Sequence, residues 1–129
     1  QWLSYLEGNM AAPNIVNVAT ITAKTVGAAL TATLTTDILA NASSSGKVFK
    51  INTILVSNVD GTNSADVTID YYNGSTGFKI ANTIAVPPDT MLVLTDKSST
   101  IYLEEGTKIR GGASAANDLD VIISYEEIS

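Results

Sequence analysis

The sequence predicts an all-β fold, a jelly-roll-like antiparallel β-sandwich of about eight or nine strands. Three observations carry that prediction. Val, Ile and Thr number 10, 13 and 16, so 39 of 129 residues are β-branched. Such side chains are stiff at χ1 and pack well on a pleated surface. Ser, Thr and Asn together number 38, charged residues make up 16%, and no glutamine follows Gln1. Helical surfaces favour Lys, Glu, Gln and Arg instead. Finally, short apolar stretches recur about every 8–12 residues between turn signals, the spacing of sandwich or barrel strands rather than βα units.

Residues 1–9, QWLSYLEGN, differ from the rest and are read as a non-native leader before a start at Met10. The segment 10–129 is then a single domain, a length at which one core suffices. Asn14–Lys24 is a first strand, punctuated by Gly27. Ala28–Thr36 alternates, with Ala28, Leu30, Ala32 and Leu34 on one face and threonines on the other. Ala40–Lys47 is a polar loop. Lys47–Val59 is the longest apolar run, a central strand with Phe49, Ile51 and Leu55 on one face and Val48, Ile54 and Val56 on the other.

Asp60–Asp66 reads as a turn. Asp66–Tyr72 is a strand with Val67, Ile69 and Tyr71 inward and Asp66, Thr68 and Asp70 toward water. Asn73–Gly77 closes a hairpin, because Asn-Gly tolerates positive φ. Gly77–Val86 returns and ends at Pro87 and Pro88, which donate nothing to a ladder. Thr90–Thr95 and Ser99–Gly106 are two strands split by DKSS. Lys108–Ala115 is a weak strand bent at Gly111-Gly112, and Leu119 opens an alternating strand that runs nearly to Ser129. The expected core is Leu30, Leu34, Phe49, Ile51, Leu55, Val67, Ile69, Leu92, Leu94, Leu103, Val121 and Ile123.

Composition excludes much chemistry. There is no cysteine and no histidine, which removes thiolate and imidazole ligands, nucleophiles and bases. A net charge of −6 with one arginine disfavours nucleic acid and anionic membrane. No apolar stretch reaches the roughly 20 residues of a membrane span. The pairs Glu104–Glu105 and Glu126–Glu127 are strand neighbours and point to opposite faces, unlike paired glycosidase carboxylates. The expectation is a protein that is not an enzyme and needs no cofactor. The one weak metal candidate is calcium on Asp60, Asn63 and Asp66, hard oxygen donors whose spacing is not that of an EF-hand loop. Sugar binding wants exposed aromatics, and Tyr72 and Tyr102 are out of phase with their apolar neighbours. Exposed tyrosines serve interfaces more often than ligands.

A sandwich sheet buries one face internally, so strands that look apolar on both faces need a cover. Val48, Ile54, Val56, Tyr72, Tyr102 and Ile122 are therefore interface candidates, and a homo-oligomer is expected.

Four segments, MAAPNIVNVATITAKT, KVFKINTILVSNVDGTNSADVTI, VPPDTMLVLTDKSSTIYLEEGTKIR and DLDVIISYEEIS, resemble small virion structural proteins of tailed bacteriophages of marine bacteria, including contractile-tailed cyanophages. The likeness spans Met10 to Ser129. LEEGTKIR resembles an L-x-x-G-D-x-I hairpin of phage β-sandwiches, with Thr107 in place of the acid. The resemblance implies a virion location, capsid decoration or tail and fibre association, and partners such as the major capsid protein. It also favours a trimer. The other function the residues allow is a carbohydrate- or receptor-binding module.

Overall fold

Period-two alternation becomes a stack of two antiparallel sheets. The structure, a computed structural model, describes residues 20–129. The expected leader at residues 1–9, the start at Met10 and the first part of the Asn14–Lys24 strand lie outside the described residues.

The described strands are β1 (Ile21–Ala29), β2 (Thr36–Ala40), β3 (Val48–Asn58), β4 (Ala65–Tyr72), β5 (Gly77–Val86), β6 (Met91–Thr95), β7 (Ile101–Leu103), β8 (Lys108–Ala113) and β9 (Leu119–Ile128). A single 3-10 turn, Lys97–Ser99, separates β6 from β7. Sheet A runs β1-β9-β3-β6, and β7 pairs with β3 beside β6. Sheet B runs β2-β8-β4-β5. When β6 and β7 count as one broken strand, the chain crosses between the sheets at nearly every connection. That is the double Greek key of a jelly roll.

The core between the sheets holds Leu30, Ile51, Ile69, Leu103, Val121 and Ile123 with no exposed surface. Phe49 and Tyr125 meet there with ring centroids 5.2 Å apart. Asn73 closes the β4–β5 hairpin: its Oδ1 accepts from the amides of Ser75 and Thr76 at 3.0 and 2.8 Å. At the far end of β3, buried Asn58 donates from Nδ2 to the carbonyls of Asn63 and Val86, both at 2.9 Å. That side chain ties the following turn to the end of β5.

Four sequence expectations change. Ile54 and Val56, expected on the second face of β3, are fully buried in the core, while Leu55 turns outward. The reason is a bulge: Ile51 pairs with Tyr125 and Thr53 with Ser124, so Asn52 is an extra residue. One extra residue flips every side chain beyond it. Ala28–Thr36 is not one strand. β1 runs through Gly27 to Ala29, residues 31–35 turn, and β2 begins at Thr36. Gly111 and Gly112 lie within β8 rather than at a bend. Asp70 does not face water; it is fully buried. Of the expected core, Leu34 and Leu55 lie outside it, and Leu92 and Leu94 are partly buried against it.

Candidate functional site

The two outer faces of the sandwich carry different chemistry. On sheet A, pairing sets Gly27, Ile122, Leu55 and Val93 in one row across β1, β9, β3 and β6. Ile122 and Val93 are 39% and 54% exposed, and Met91, in the next row, 53%. Gly27 and Ala29 give β1 a flat outer surface beside this row. The result is an apolar strip with no charged side chain in its central row.

Further along the same face, Ala23, Glu126, Lys50 and Tyr102 form a mixed row. Glu126 also accepts from Asn52 Nδ2 at 3.1 Å, which fastens the bulge. Of the interface candidates, Tyr102 and Ile122 are thus exposed on this face. Val48 is buried, paired in register with buried Ile128 outside the main core cluster. Ile54 and Val56 are core residues, so a contact cannot be built on them.

Where the inner face of β9 ends, Glu127 accepts from Lys24 and Lys47, each at 2.9 Å. The two ammonium groups hold its carboxyl below the ordinary value of 4.5. A carboxyl lowered in the folded state adds stability above its unfolded pKa, and that stability is lost as pH falls through the folded value. Both lysines are about two-fifths exposed or more, so screening keeps the effect at about 1 kcal/mol or less. The Glu127→Gln variant is therefore expected to be less stable than the parent near pH 7 and to converge with it below about pH 4. Urea titrations across that range check this.

On sheet B the outer face is polar. Asp37, Arg110, Asp70 and Lys79 follow one another across β2, β8, β4 and β5, an alternation of sign. Arg110 grips Asp70 with two hydrogen bonds, Nε to Oδ1 at 3.0 Å and Nη2 to Oδ2 at 2.5 Å. The carboxylate holds the guanidinium pKa above its ordinary value. Gly77 makes this possible, since a Cβ there would collide with Asp70 Oδ2. The Arg110 guanidinium also lies 4.2 Å from the Tyr72 ring centroid, and Lys108 Nζ lies 5.3 Å from it. Tyr72 is therefore a half-buried partner of two cations.

The oxygen donors Asp60, Asn63 and Asp66 divide. Asp60 accepts from the Thr62 amide at 2.8 Å and from Asn63 Nδ2 at 3.2 Å. These bonds, led by the Thr62 amide, lower its carboxyl pKa. Asp66 lies on β4 and lines a cleft of sheet B that neither of the other two lines. No group of three or more His, Cys, Asp or Glu side chains that could hold a metal ion occurs among the described residues. No helix among them is long and apolar enough to cross a membrane.

The cleft itself was not legible in the sequence. Its floor is Thr68 and Gly112, which face each other across β4 and β8. One wall is the turn after β1, with Ala32 and Leu34; the other is Thr83 of β5. The turn rests directly on Gly112: a Cβ there would meet Thr33 C and O at 2.8 Å. Thr83 sits where β5 carries an extra residue, since Val67 pairs with Ile84 and Ile69 with Ala81. The signal for it in the sequence was Gly-Gly in β8.

No family model matches the chain, and no curated protein matches it.

Proposed function

We propose that the chain is a non-enzymatic structural protein of a phage particle, a β-sandwich that acts by self-association and by attachment to other virion proteins. The observation that carries this reading is the apolar strip Ile122–Leu55–Val93 with Met91 on the outer face of sheet A. Burying a large apolar side chain contributes about 1.5–3 kcal/mol. Ile122, Val93 and Met91, well exposed, with Leu55 partly exposed between them, supply a useful hydrophobic centre for a contact. The resemblance of Met10–Ser129 to small virion proteins supports the particle as the setting, and it favours a trimer closed by cyclic symmetry. Major capsid or tail proteins are the partners this reading names. The sugar-binding alternative lacks a free aromatic platform at Tyr72, whose ring is engaged by Arg110.

Two measurements test the proposal. Antibody imaging of the particles should label them at fixed positions, and unlabelled particles would overturn the virion reading. Light scattering should give a multiple of the chain mass. Ile122→Asp and Val93→Asp should shift the mass to a single chain while circular dichroism stays unchanged, because surface substitutions normally move stability by about 0.5 kcal/mol. A parent protein that is monomeric at every concentration would remove self-association from the proposal.

A further inference from the structure

The cleft on the outer face of sheet B has a chemistry that packing does not use. Its volume is about 240 Å³. Pockets for drug-sized ligands run about 300–1,000 Å³, so this one fits a single side chain or a group of that size. Its one charged group, the Asp66 carboxylate, is an acceptor only, and its other polar side chains are hydroxyls, which accept and donate. The Asp66 carboxylate makes no ion pair or hydrogen bond among the described residues, and no cationic side chain lines the cleft. Thr68 Oγ1 accepts from the Thr83 amide at 3.1 Å, and Ser114 Oγ accepts from the Asp66 amide at 2.8 Å. Each hydroxyl keeps one lone pair after that bond. Leu34 supplies an apolar wall.

An uncompensated carboxylate on a chain of net charge −6 repels anions. A planar guanidinium would take both oxygens of the Asp66 carboxylate in parallel, as Arg110 takes those of Asp70, and has no need of the two hydroxyls, whereas an ammonium directs its three N–H bonds to three separate acceptors. The acceptors here come from Asp66 and Thr68 of β4 and from Ser114 just beyond β8. The geometry points to an alkylammonium as the occupant: the lysine side chain of a protein partner, with its ammonium on Asp66, Thr68 and Ser114 and its methylene stem against Leu34. Lysine commonly lays its stem on apolar surface in this way. Thr83 fixes the acceptor set. It is β-branched yet held at φ 48°, a strained conformation that persists only where the surroundings demand it. There its amide bonds Thr68 Oγ1, which fixes the place of that hydroxyl beside the cleft. The occupant does not depend on the particle reading, and the cleft keeps its chemistry if that reading fails.

The test uses the full chain and the probe Nα-acetyl-lysine N-methylamide, followed by amide chemical shifts at low salt. The expected result is saturable shifts at Thr68, Thr83 and Ser114. The norleucine counterpart, with the same stem and no charge, should bind at least about tenfold more weakly, or about 1.4 kcal/mol. Asp66→Asn should weaken the lysine probe by a similar factor, with the remaining amides unmoved. Three results overturn the assignment: no shift at these amides at tens of millimolar probe, equal binding of the norleucine probe, or undiminished binding by Asp66→Asn. Butylammonium, which carries the same ammonium and stem, should bind about as tightly as the lysine probe, and its failure to shift these amides would overturn the assignment. Tighter binding of methyl glucoside would overturn the ammonium class altogether.

Discussion

Arg110→Met is expected to destabilise the domain by about 3–5 kcal/mol, the usual cost of leaving one member of a buried ion pair alone. Asp70 has no exposed surface, and Arg110 is its ion-pair partner through two hydrogen bonds. Removing the guanidinium leaves the Asp70 carboxylate, buried with Arg110 in place, without its counter-charge. Small domains have about 5–15 kcal/mol in total, so the loss is a large fraction of that. The melting midpoint should fall by roughly 10–20 °C. The double variant Asp70→Leu, Arg110→Met should recover most of the loss, because paired removal leaves no orphan charge. Thermal and urea denaturation of both variants decide it. A loss under about 1 kcal/mol for Arg110→Met would mean that the pair behaves as a surface salt bridge.

Gly112→Ala is expected to cost about 1–3 kcal/mol by overpacking, and clearly more than Gly111→Ala. Neither glycine has positive φ, so the backbone accepts alanine at both positions. What differs is the neighbour. A Cβ on Gly111 would meet the methyl ends of Ile38 at 2.7 Å and Leu30 at 2.8 Å, which can turn aside. A Cβ on Gly112 would meet the backbone of Thr33 at 2.8 Å and the amide nitrogen of Leu34 at 2.9 Å. The β1–β2 turn must then lift off β8, stretching the bond from the Ala113 amide to the Thr31 carbonyl, now 2.8 Å. The same movement opens the cleft wall at Leu34. Amide shifts confined to residues 31–35 in Gly112→Ala, together with the larger loss of stability, are the expected outcome. Equal or reversed losses would show that the turn does not rest on the glycine.

Both effects rest on places where local pattern and tertiary structure part. Alternation in DVTIDYY was enough to put Val67 and Ile69 inside, and alternation from Leu119 to Tyr125 placed β9 correctly. Strand ends marked by Asn73 and Pro87 were also legible, because turn chemistry is local, whereas the strand expected to reach Gly106 stops at Leu103. The candidate contact was legible only in part. Ile122 was visible as an apolar residue out of phase, whereas Val93 and Met91 were hidden in a strand that simply reads as apolar.

Composition and alternation were enough for the class, the single core and most strand positions, since side-chain period and turn preference act over a few residues. Tertiary structure alone decided three things. The bulge at Asn52 exchanged Ile54 and Val56 for Leu55, because a bulge is set by pairing with β9 and not by composition. Arg110, forty residues away in sequence, turned an acid that alternation places in water into a buried partner. The jelly-roll order set the turn after β1 on Gly112 and, with the bulge in β5, enclosed the Asp66 cleft. Each of these depends on contacts between strands far apart in the chain, and periodicity along one strand carries no information about what is packed across it.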